Sequence, residues 1–296
     1  MKIFVNGVHL YFDVEGAGLR PHGPRMEQLP TLLLLHGGPG ADHAVHKPAF
    51  SALANVAQVV YLDHRGNGRS DRASEASWNM AQWAHDVFAF CQALQIDKPI
   101  VCGTSFGGMV AMEYATRYPA HPGALVLVSS SAQPASHANA KVTMFTRLGG
   151  PAAGQLARRR FIDGDTNPEV LQAWLEIALP LYTATPQDPD EMWRILFNNA
   201  VTAWFNRPGG EGRNFDIVSR LQQITCPTLV MGGALDPMLP IEHQRDIAAA
   251  IRPDLVQYRE FAHCGHGVVA DAPQEAMALL RGFVKSLPPP SAGGSR

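Results

Sequence analysis

The chain has 296 residues, of which 46% are hydrophobic, and a formal net charge of −2. This length can bury roughly 75% of the surface that the unfolded chain would expose, so the core needs no disulfide or metal to hold it. A charge this close to zero, without a long run of one sign, excludes the pattern of a nucleic-acid binder or a polybasic membrane anchor. The densest basic cluster, Arg158 to Arg160, is interpreted as a solvated helix face.

The N-terminal sequence MKIFVNGVHLYFDVEG alternates apolar and polar residues and has a single early lysine. A signal peptide would carry a continuous apolar stretch instead, so we expect a cytoplasmic protein that begins with two strands joined by the turn NG. The longest apolar run, TLLLL, is too short to span a bilayer. The four cysteines, Cys91, Cys102, Cys226 and Cys264, form no CxxC pair, which predicts reduced thiols without a disulfide or a structural zinc.

Eight short segments predict strands: KIFV, HLYFDV, TLLLLHG, AQVVYLD, KPIVCGTS, GALVLVSSS, PTLVMGG and VQYREFA. Most of them are continuous apolar runs, which indicates strands that helices cover on both faces. The stretches between them, such as MAQWAHDVFAFCQALQ and PQEAMALLRGFVKSL, repeat apolar residues at helical spacing. This alternation predicts the α/β class, with a mainly parallel eight-stranded sheet and helices on both faces.

One interval, residues 133–223, contains no convincing strand and is rich in aromatic residues within helix-like segments. We interpret it as a helical cap over one edge of the sheet, so that residues 1–132 and 224–287 form the core. The tail at 288–296, PPPSAGGSR, has almost no apolar residues to bury and is expected to be disordered. The cap composition favours an apolar substrate cavity, although most of its aromatic residues are expected to pack the cap helices together.

The segment GTSFG at 103–107 fits the pattern G-x-S-x-G, with a predicted strand before it and a predicted helix after it. Glycines on both sides leave room for a sharp, strained turn that presents Ser105 as a nucleophile at the carboxyl edge of the sheet. The competing interpretation is an ordinary strand-to-helix turn in which the serine only caps the helix. The nucleophile interpretation requires a base and an acid elsewhere in the chain.

A serine hydroxyl becomes a strong nucleophile only when a histidine takes its proton and a carboxylate orients that histidine. Asp236 follows the strand PTLVMGG and His266 follows VQYREF, which gives the chain order Ser, Asp, His of G-x-S-x-G hydrolases. Asp63 and Asp271 also lie near loop ends but fit that order less well. His263 is the alternative base, and we prefer His266 because glycines flank it.

The glycine-rich segment HGGPG at 36–40 follows the strand TLLLL and exposes backbone near the same sheet edge. It predicts an oxyanion hole formed by the backbone N–H groups of Gly38 and Phe106, each worth about 10²–10³ in rate. The alternative to an oxyanion hole is that HGGPG is only a flexible turn. His36 is expected to have a structural role and not a catalytic one. The segment lacks the lysine and serine of a phosphate loop, and HCGH at 263–266 has no second ligand cluster, so we predict no cofactor and no metal.

Taken together, these segments resemble α/β-hydrolases, in particular the proline iminopeptidase group and its relatives. The resemblance is carried by HGGPG, by DHRGNGRS at 63–70, by GTSFGGMVAMEYA at 103–115, and by the late LDP and GHG segments. It implies the α/β-hydrolase fold with Ser105 as nucleophile, Asp236 as acid and His266 as base. It also implies that DHRGNGRS is a structural turn whose Arg65 and Arg69 pair with carboxylates.

The chain departs from the aminopeptidases of this group at places that hold the free amine of the substrate. Pro237 stands where some members carry a carboxylate, and Phe106 stands where tryptophan is usual. The cap offers the glutamates Glu169, Glu176, Glu191 and Glu211, none of which aligns with the amine-binding positions of the group. These departures leave esters, lactones and non-peptide amides open as substrates.

The sequence therefore predicts a serine hydrolase that cleaves a small, mostly apolar carboxylic ester or amide through an acyl-enzyme. One alternative is a proline iminopeptidase that acts on short peptides. Others are a carbon–carbon bond hydrolase, which shares the triad, and a ligand receptor on a hydrolase scaffold, against which the complete triad argues. Dehalogenases and epoxide hydrolases place an aspartate where Ser105 stands and are therefore disfavoured.

Overall fold

A computed structural model describes residues 1–165, 167–188 and 190–289. In these residues the chain forms ten strands: β1 (Lys2–Val5), β2 (Val8–Glu15), β3 (Leu19–His22), β4 (Arg25–Gln28), β5 (Thr31–Leu35), β6 (Gln58–Leu62), β7 (Ile100–Thr104), β8 (Ala124–Val128), β9 (Thr228–Gly233) and β10 (Val256–Phe261). Eight of them form one sheet in the order β1-β2-β6-β5-β7-β8-β9-β10. This sheet contains every predicted strand, so the predicted fold class is confirmed.

The sheet is parallel except at its N-terminal edge, where β1 pairs antiparallel with β2 and β2 pairs antiparallel with β6. The strands from β6 through β5, β7, β8 and β9 to β10 all run parallel, so their carboxyl ends lie at one edge. The sequence did not predict the separate hairpin of β3 and β4. Its residues are mostly exposed and lack apolar alternation, which is the signal on which strand prediction depends.

The described residues also form helices on both faces of the sheet and between β8 and β9. The α-helices are α1 (Met80–Ala93), α2 (Phe106–Arg117), α3 (Ala138–Phe161), α4 (Pro168–Ala173), α5 (Asp190–Arg194), α6 (Asn199–Asn206), α7 (Glu211–Asn214), α8 (Glu242–Ala250), α9 (Val268–Asp271) and α10 (Pro273–Ser286). Shorter 3-10 segments span His43–His46, Ala49–Leu53, Glu75–Ser77, Leu179–Tyr182 and Val218–Gln223, and a π-helical turn spans Trp174–Ala178. Within this part of the chain, no helix has both the length and the hydropathy needed to cross a membrane.

The two faces of the sheet explain why its strands read as continuous apolar runs. In β5, Leu33 and Leu35 pack into a core layer with α1, α2 and α8. Leu32 and Leu34 point to the opposite layer, which contains α10 and the 3-10 segment Ala49–Leu53. Successive side chains of a strand point to opposite faces, and both faces of β5 are covered by helices. Leu32 to Leu35 are therefore all apolar.

The described part of the chain between β8 and β9 contains α3 to α7 and no strand. Helices α3 and α4 and the π-helical turn Trp174–Ala178 share an aromatic cluster that includes Phe145 and Trp174, whereas α6 packs against the core layer. Helix α3 bends at Gly150, whose φ is 74°, directly before Pro151. The cap boundaries at 133 and 223 stay a prediction, and the predicted disordered tail lies outside the described residues from position 290 onward.

The interpretation of Arg158 to Arg160 as a solvated face is wrong for its last member. Arg158 and Arg159 are exposed, whereas the guanidinium carbon of Arg160 lies 4.5 Å from the centre of the Trp174 ring. Arg160 follows buried Leu156 by four positions, and residues four apart share one face of a helix. The phase of α3 therefore turns this cation toward the interior of the cap.

The turn DHRGNGRS is held by two ion pairs that connect it to its neighbours. Arg65 donates to both carboxylate oxygens of Asp86 over 2.7 and 2.8 Å, and the two side chains are only 5% and 3% exposed. Arg69 donates to Asp42 over 2.6 Å. Asn67, in the middle of the turn, accepts a hydrogen bond from the amide of Gly40 over 2.7 Å. The turn therefore supports the HGGPG loop, as the family resemblance implied.

Replacing Arg65 with Met tests the contribution of the buried ion pair to stability. We expect the variant to lose about 3–5 kcal/mol of unfolding free energy, because Asp86 would remain buried without its main partner. Urea denaturation measures the loss, and the double variant Arg65→Met/Asp86→Leu serves as the control because it removes both charges. The double variant should be more stable than the single one; equal losses would contradict a penalty from the uncompensated carboxylate.

Candidate active site

Ser105 stands at the junction between β7 and α2, in a backbone conformation that few residues adopt. Its φ is 54° and its ψ is −118°, values that cost a non-glycine residue about 1–3 kcal/mol. The strain is held from both sides, because the Ser105 amide donates to Val128 O over 2.9 Å and Ser130 donates to Ser105 O over 2.8 Å. The Ser105 hydroxyl makes no capping hydrogen bond to α2, so the interpretation as a simple helix cap is wrong.

The glycines around Ser105 are required by close backbone contacts. A Cβ on Gly103 would collide with the carbonyl group of Gly107. A Cβ on Gly107 would in turn collide with the carbonyl oxygen of Leu35, at the end of β5. The pattern G-x-S-x-G is therefore explained by how closely α2 approaches the strand ends, as the sequence interpretation expected.

His266 and Asp236 are joined by a hydrogen bond of 2.7 Å between Nδ1 and Oδ2. Asp236 is 1% exposed, and its other oxygen, Oδ1, accepts from the amides of Met238 and Leu239 over 2.9 and 2.8 Å. An ionised carboxylate can only accept, so Nδ1 of His266 carries the proton and Nε2 is left with a lone pair. The His266 side chain is 15% exposed, which keeps Nε2 accessible from the site.

The described structure contains no hydrogen bond between the Ser105 hydroxyl and His266. The structure therefore joins the predicted acid to the predicted base, but it does not join the nucleophile to the base. Catalytic hydrogen bonds are often long without substrate and tighten when it binds. All three residues lie at the carboxyl edge of the sheet, since they follow β7, β9 and β10.

The two alternative acids have other partners, and the alternative base is not paired with any carboxylate that the structure describes. Asp63 accepts from His43 Nδ1 over 2.7 Å and from the amide of Arg69 over 2.8 Å, in the turn beside the site. Asp271 accepts from the amides of Gly265 and Ala184, so it fastens the histidine loop to the cap. His263 is exposed and, among the described residues, has no hydrogen-bonding partner. Of the three aspartates considered, Asp236 is the one that pairs with His266.

The HGGPG loop lies directly against the nucleophile. A Cβ built on Gly37 would lie 3.5 Å from Ser105 Cβ, and Gly38 adopts a φ of 128° that favours glycine. In the described part of the chain, the amides of Gly38 and Phe106 donate to no acceptor, as an oxyanion hole requires. The cap holds the loop in place, because Thr202 of α6 donates to Pro39 O over 2.7 Å.

His36 is buried and has two structural contacts. Its Nδ1 donates to Gly37 O over 2.7 Å, and its Nε2 accepts from the His64 amide over 3.1 Å. Burial lowers the pKa of His36, which favours this neutral tautomer. The ring therefore fixes the start of the HGGPG loop, and both of its nitrogens are occupied by these structural contacts.

Three other side chains have ligand atoms close enough to hold a metal: Asp42, His43 and Asp63. Their atoms are already used by the protein, since Asp63 pairs with His43 and Asp42 pairs with Arg69. A cation such as Arg69 in contact with the group disfavours a second cation there. We therefore interpret this cluster as part of the structural turn.

Tyr182 of the cap contacts the base, and nothing in the sequence singled it out from the other cap aromatics. Its carbonyl oxygen accepts from the His266 amide over 2.6 Å, and the two rings are 5.5 Å apart between centres. The Tyr182 hydroxyl accepts from Trp174 Nε1 and contacts Met238 Sδ, each over 3.2 Å. Burial raises the pKa of Tyr182 to about 12, so the hydroxyl stays protonated.

A cavity of about 280 Å³ lies beside the histidine loop, between the cap and the core. It is lined by Leu148, Pro180, Leu181, Thr183, Ala184, Leu235 and Gly265. Leu235 and Gly265 directly precede Asp236 and His266, whereas Ser105 is not part of the lining. The lining is mostly apolar, but because Ser105 does not contribute to it, the apolar substrate cavity expected from the sequence stays a prediction.

Comparison with known proteins adds to this geometry. Residues 30–273 match the model of the family described as alpha/beta hydrolase fold. A proline iminopeptidase of Levilactobacillus brevis is 29% identical over 276 residues, which cover 87% of this chain and 89% of that protein. Monoacylglycerol lipase ABHD6 of Homo sapiens is 26% identical over 267 residues, which cover 87% of this chain and 76% of that protein.

A solved structure has the same fold. The crystal structure of the proline iminopeptidase of Mycobacterium smegmatis aligns with a TM-score of 0.78 and covers 97% of both chains. Its sequence identity of 23% supports the fold and not a shared substrate. Because the family match extends over residues 30–273, the chain belongs to the α/β-hydrolase family and is a hydrolytic enzyme.

Proposed function

We propose that this hydrolase cleaves a small, mostly apolar carboxylic ester or amide through an acyl-enzyme on Ser105. The observation that carries the proposal is the 2.7 Å hydrogen bond between His266 and Asp236, at the sheet edge where Ser105 occupies its strained turn. A histidine with an orienting carboxylate, at the same sheet edge as a serine in a strained turn, is the set of groups that can activate a hydroxyl for attack on a carbonyl carbon.

The reaction would begin when Nε2 of His266 takes the proton of the Ser105 hydroxyl as Oγ attacks the carbonyl carbon. The amides of Gly38 and Phe106 would stabilise the negative charge that develops on the carbonyl oxygen. His266 would then protonate the leaving alcohol or amine as the C–O or C–N bond breaks. A water molecule, deprotonated by the same histidine, would release the acid and restore Ser105.

The second candidate is proline iminopeptidase activity, which the names of similar proteins favour. Aminopeptidase action on a free amine calls for a carboxylate at the substrate. Glu169 and Glu176 are exposed, and Glu211 accepts from the Met80 amide over 2.7 Å, where it ties α7 to the start of α1. Pro237 supplies no charge beside Asp236. We therefore place ester or non-peptide amide cleavage first.

An assay of three substrates separates these candidates. We expect hydrolysis of p-nitrophenyl butyrate, and no cleavage of prolyl-p-nitroanilide or of its N-acetylated form, because Pro237 supplies no charge beside Asp236 and Glu211 is already held by the Met80 amide. Initial rates of p-nitrophenol and p-nitroaniline release are the measurement. Rapid cleavage of the free prolyl anilide that disappears on acetylation would overturn this order.

Replacing Ser105 with Ala in the same assay tests the nucleophile. We expect turnover to fall by at least about 10⁴-fold, because the acyl-enzyme cannot form without the hydroxyl. The control is Ser74→Ala, an exposed serine whose loss should leave the rate unchanged. Mass spectrometry of the protein with a slow substrate should detect an acyl adduct that is absent from the Ser105→Ala variant. A Ser105→Ala enzyme at full rate would contradict the mechanism.

Replacing Asp236 with Asn tests the orienting carboxylate. The amide can donate to Nδ1 of His266 and so favour the tautomer in which Nε2 carries the proton and cannot act as a base. We expect kcat to fall by about 10³–10⁴-fold with the fold intact. The matched control is Asp271→Asn, which alters the loop tether without touching the His266 ring and should cost much less. A larger loss of kcat in Asp271→Asn than in Asp236→Asn would show that Asp236 is not the orienting carboxylate.

A further inference from the structure

Two basic side chains of α3 lie inside the cap. Lys141 is only 2% exposed, and its ammonium group lies 4.8 Å from the centre of the Phe161 ring. Arg160, one residue before Phe161, is partly buried over the Trp174 ring. Both cations therefore contact the aromatic cluster of the cap, whereas Arg158 of the same helix is exposed.

No carboxylate of the described residues is in direct contact with either of these two cations. In the ranges 1–165, 167–188 and 190–289, no carboxylate lies within ion-pair distance of Lys141 or Arg160. The Lys141 ammonium donates once, to Pro134 O over 2.6 Å, and the Arg160 guanidinium donates to no described residue. An ammonium has three N–H donors and a guanidinium has five, so most of them are unused. A buried cation without a counter-ion is costly, and cation–π contact offsets only part of that cost.

The neighbouring arginine shows that pairing is available on this helix. Arg159 donates to Asp165 over 3.0 and 2.7 Å from two of its nitrogens. This pair lies at the surface, where it is weak, while the two inward cations have no such partner. Arg147 and Arg158 of α3 also have no ion pair among the described residues, but both are exposed to water. The unpaired charges that are removed from water are therefore those of Lys141 and Arg160.

A chain of contacts connects the two cations to the catalytic base. The rings of Phe161 and Trp174 are 5.4 Å apart, and Trp174 donates to the Tyr182 hydroxyl over 3.2 Å. Tyr182 in turn contacts His266 through its ring and its carbonyl oxygen. Burial, together with the positive charge of Arg160, lowers the pKa of Lys141 to about 8, and the charge of Asp236 opposes this effect.

We propose that Lys141 and Arg160 bind a carboxylate of the substrate, so that the preferred ester or amide is apolar along its length and ends in an anion. The inference rests on the proposed function, because the same substrate must reach Ser105. A guanidinium over an indole ring keeps its planar edge available, which matches the two oxygens of a carboxylate, and the Lys141 ammonium, over the neighbouring Phe161 ring, has further donors. A bound anion would supply the contacting counter-ion that the described residues do not, since the charge of Asp236 acts on Lys141 only from beyond ion-pair distance.

This site has the opposite charge to one that binds a free amine. A carboxylate between Lys141 and Arg160 would be attracted, whereas the ammonium end of a peptide would be repelled there. The inference thus narrows the substrate class within ester and amide hydrolysis, and it assigns selection of the substrate to the cap and not to the triad.

The test compares each anionic substrate with its neutral methyl ester. One pair carries the anion on the acyl part: p-nitrophenyl hydrogen glutarate and methyl p-nitrophenyl glutarate. The other carries it on the leaving group: 4-carboxyphenyl butyrate and its methyl ester. We expect the wild-type enzyme to favour the anionic member of at least one pair in kcat/KM.

The variants Lys141→Met and Arg160→Gln should each reduce that preference by roughly 10- to 100-fold, because each removes charge-assisted hydrogen bonds to the anion. The loss should fall mainly on KM, since neither residue touches the reacting atoms. Arg158→Gln, on the exposed face of the same helix, is the matched control and should keep the preference. Lys141→Met removes an uncompensated buried charge, so we expect it to fold at least as stably as wild type.

The outcomes separate this inference from the proposed function. If the enzyme cleaves the neutral esters through Ser105 without preferring either anion, or if the variants slow both members of a pair equally, the cations only stabilise the cap and the inference is overturned. If Ser105→Ala cleaves the neutral esters at the wild-type rate, the proposed function fails, whatever the preference. An anion preference that is lost in both variants and kept in Arg158→Gln supports the site.

Discussion

The active-site architecture depends on how closely α2 approaches the ends of β5 and β7. Gly103 and Gly107 permit this approach, because a side chain at either position would collide with backbone. The turn that results gives Ser105 a positive φ, and bonds to Val128 and Ser130 hold it there. Hydrogen bonds and packing at the sheet edge therefore offset the cost of the strained backbone. They fix the position of Ser105 before any substrate binds.

The loops around that serine are positioned by two different parts of the chain. The turn containing Asn67 holds the HGGPG loop from the core side, and Thr202 holds it from the cap side. The histidine loop is likewise bonded to Tyr182 of the cap and to Asp236 of the core. Because core and cap share these contacts, substitutions in the cap are expected to influence the rate of reaction as well as the choice of substrate.

The sequence predicts much of this architecture because its signals are local. The strands are continuous apolar runs in the sequence. The two glycines of G-x-S-x-G indicate that the backbone is too closely packed there for side chains. The sequence favoured Asp236 over Asp271 by chain order alone, whereas the hydrogen bond that joins Asp236 and not Asp271 to the His266 ring is visible only in the structure. The inward position of Arg160 depends on the phase of α3 against the cap cluster, and the contact of Tyr182 with His266 joins residues far apart in sequence. Neither the inward position of Arg160 nor the Tyr182–His266 contact produces a local sequence pattern from which it could be predicted.

The hydrogen bond from the His266 amide to the Tyr182 carbonyl has a consequence for the timing of turnover. Tyr182 ends the 3-10 segment Leu179–Tyr182, which borders the cavity between cap and core. If that segment moves outward to release product, it takes away a support of the base in the same movement. Opening of the cap and loss of support for His266 would then occur in the same movement. The open enzyme would exchange ligands while His266 is poorly held, and the closed enzyme would react.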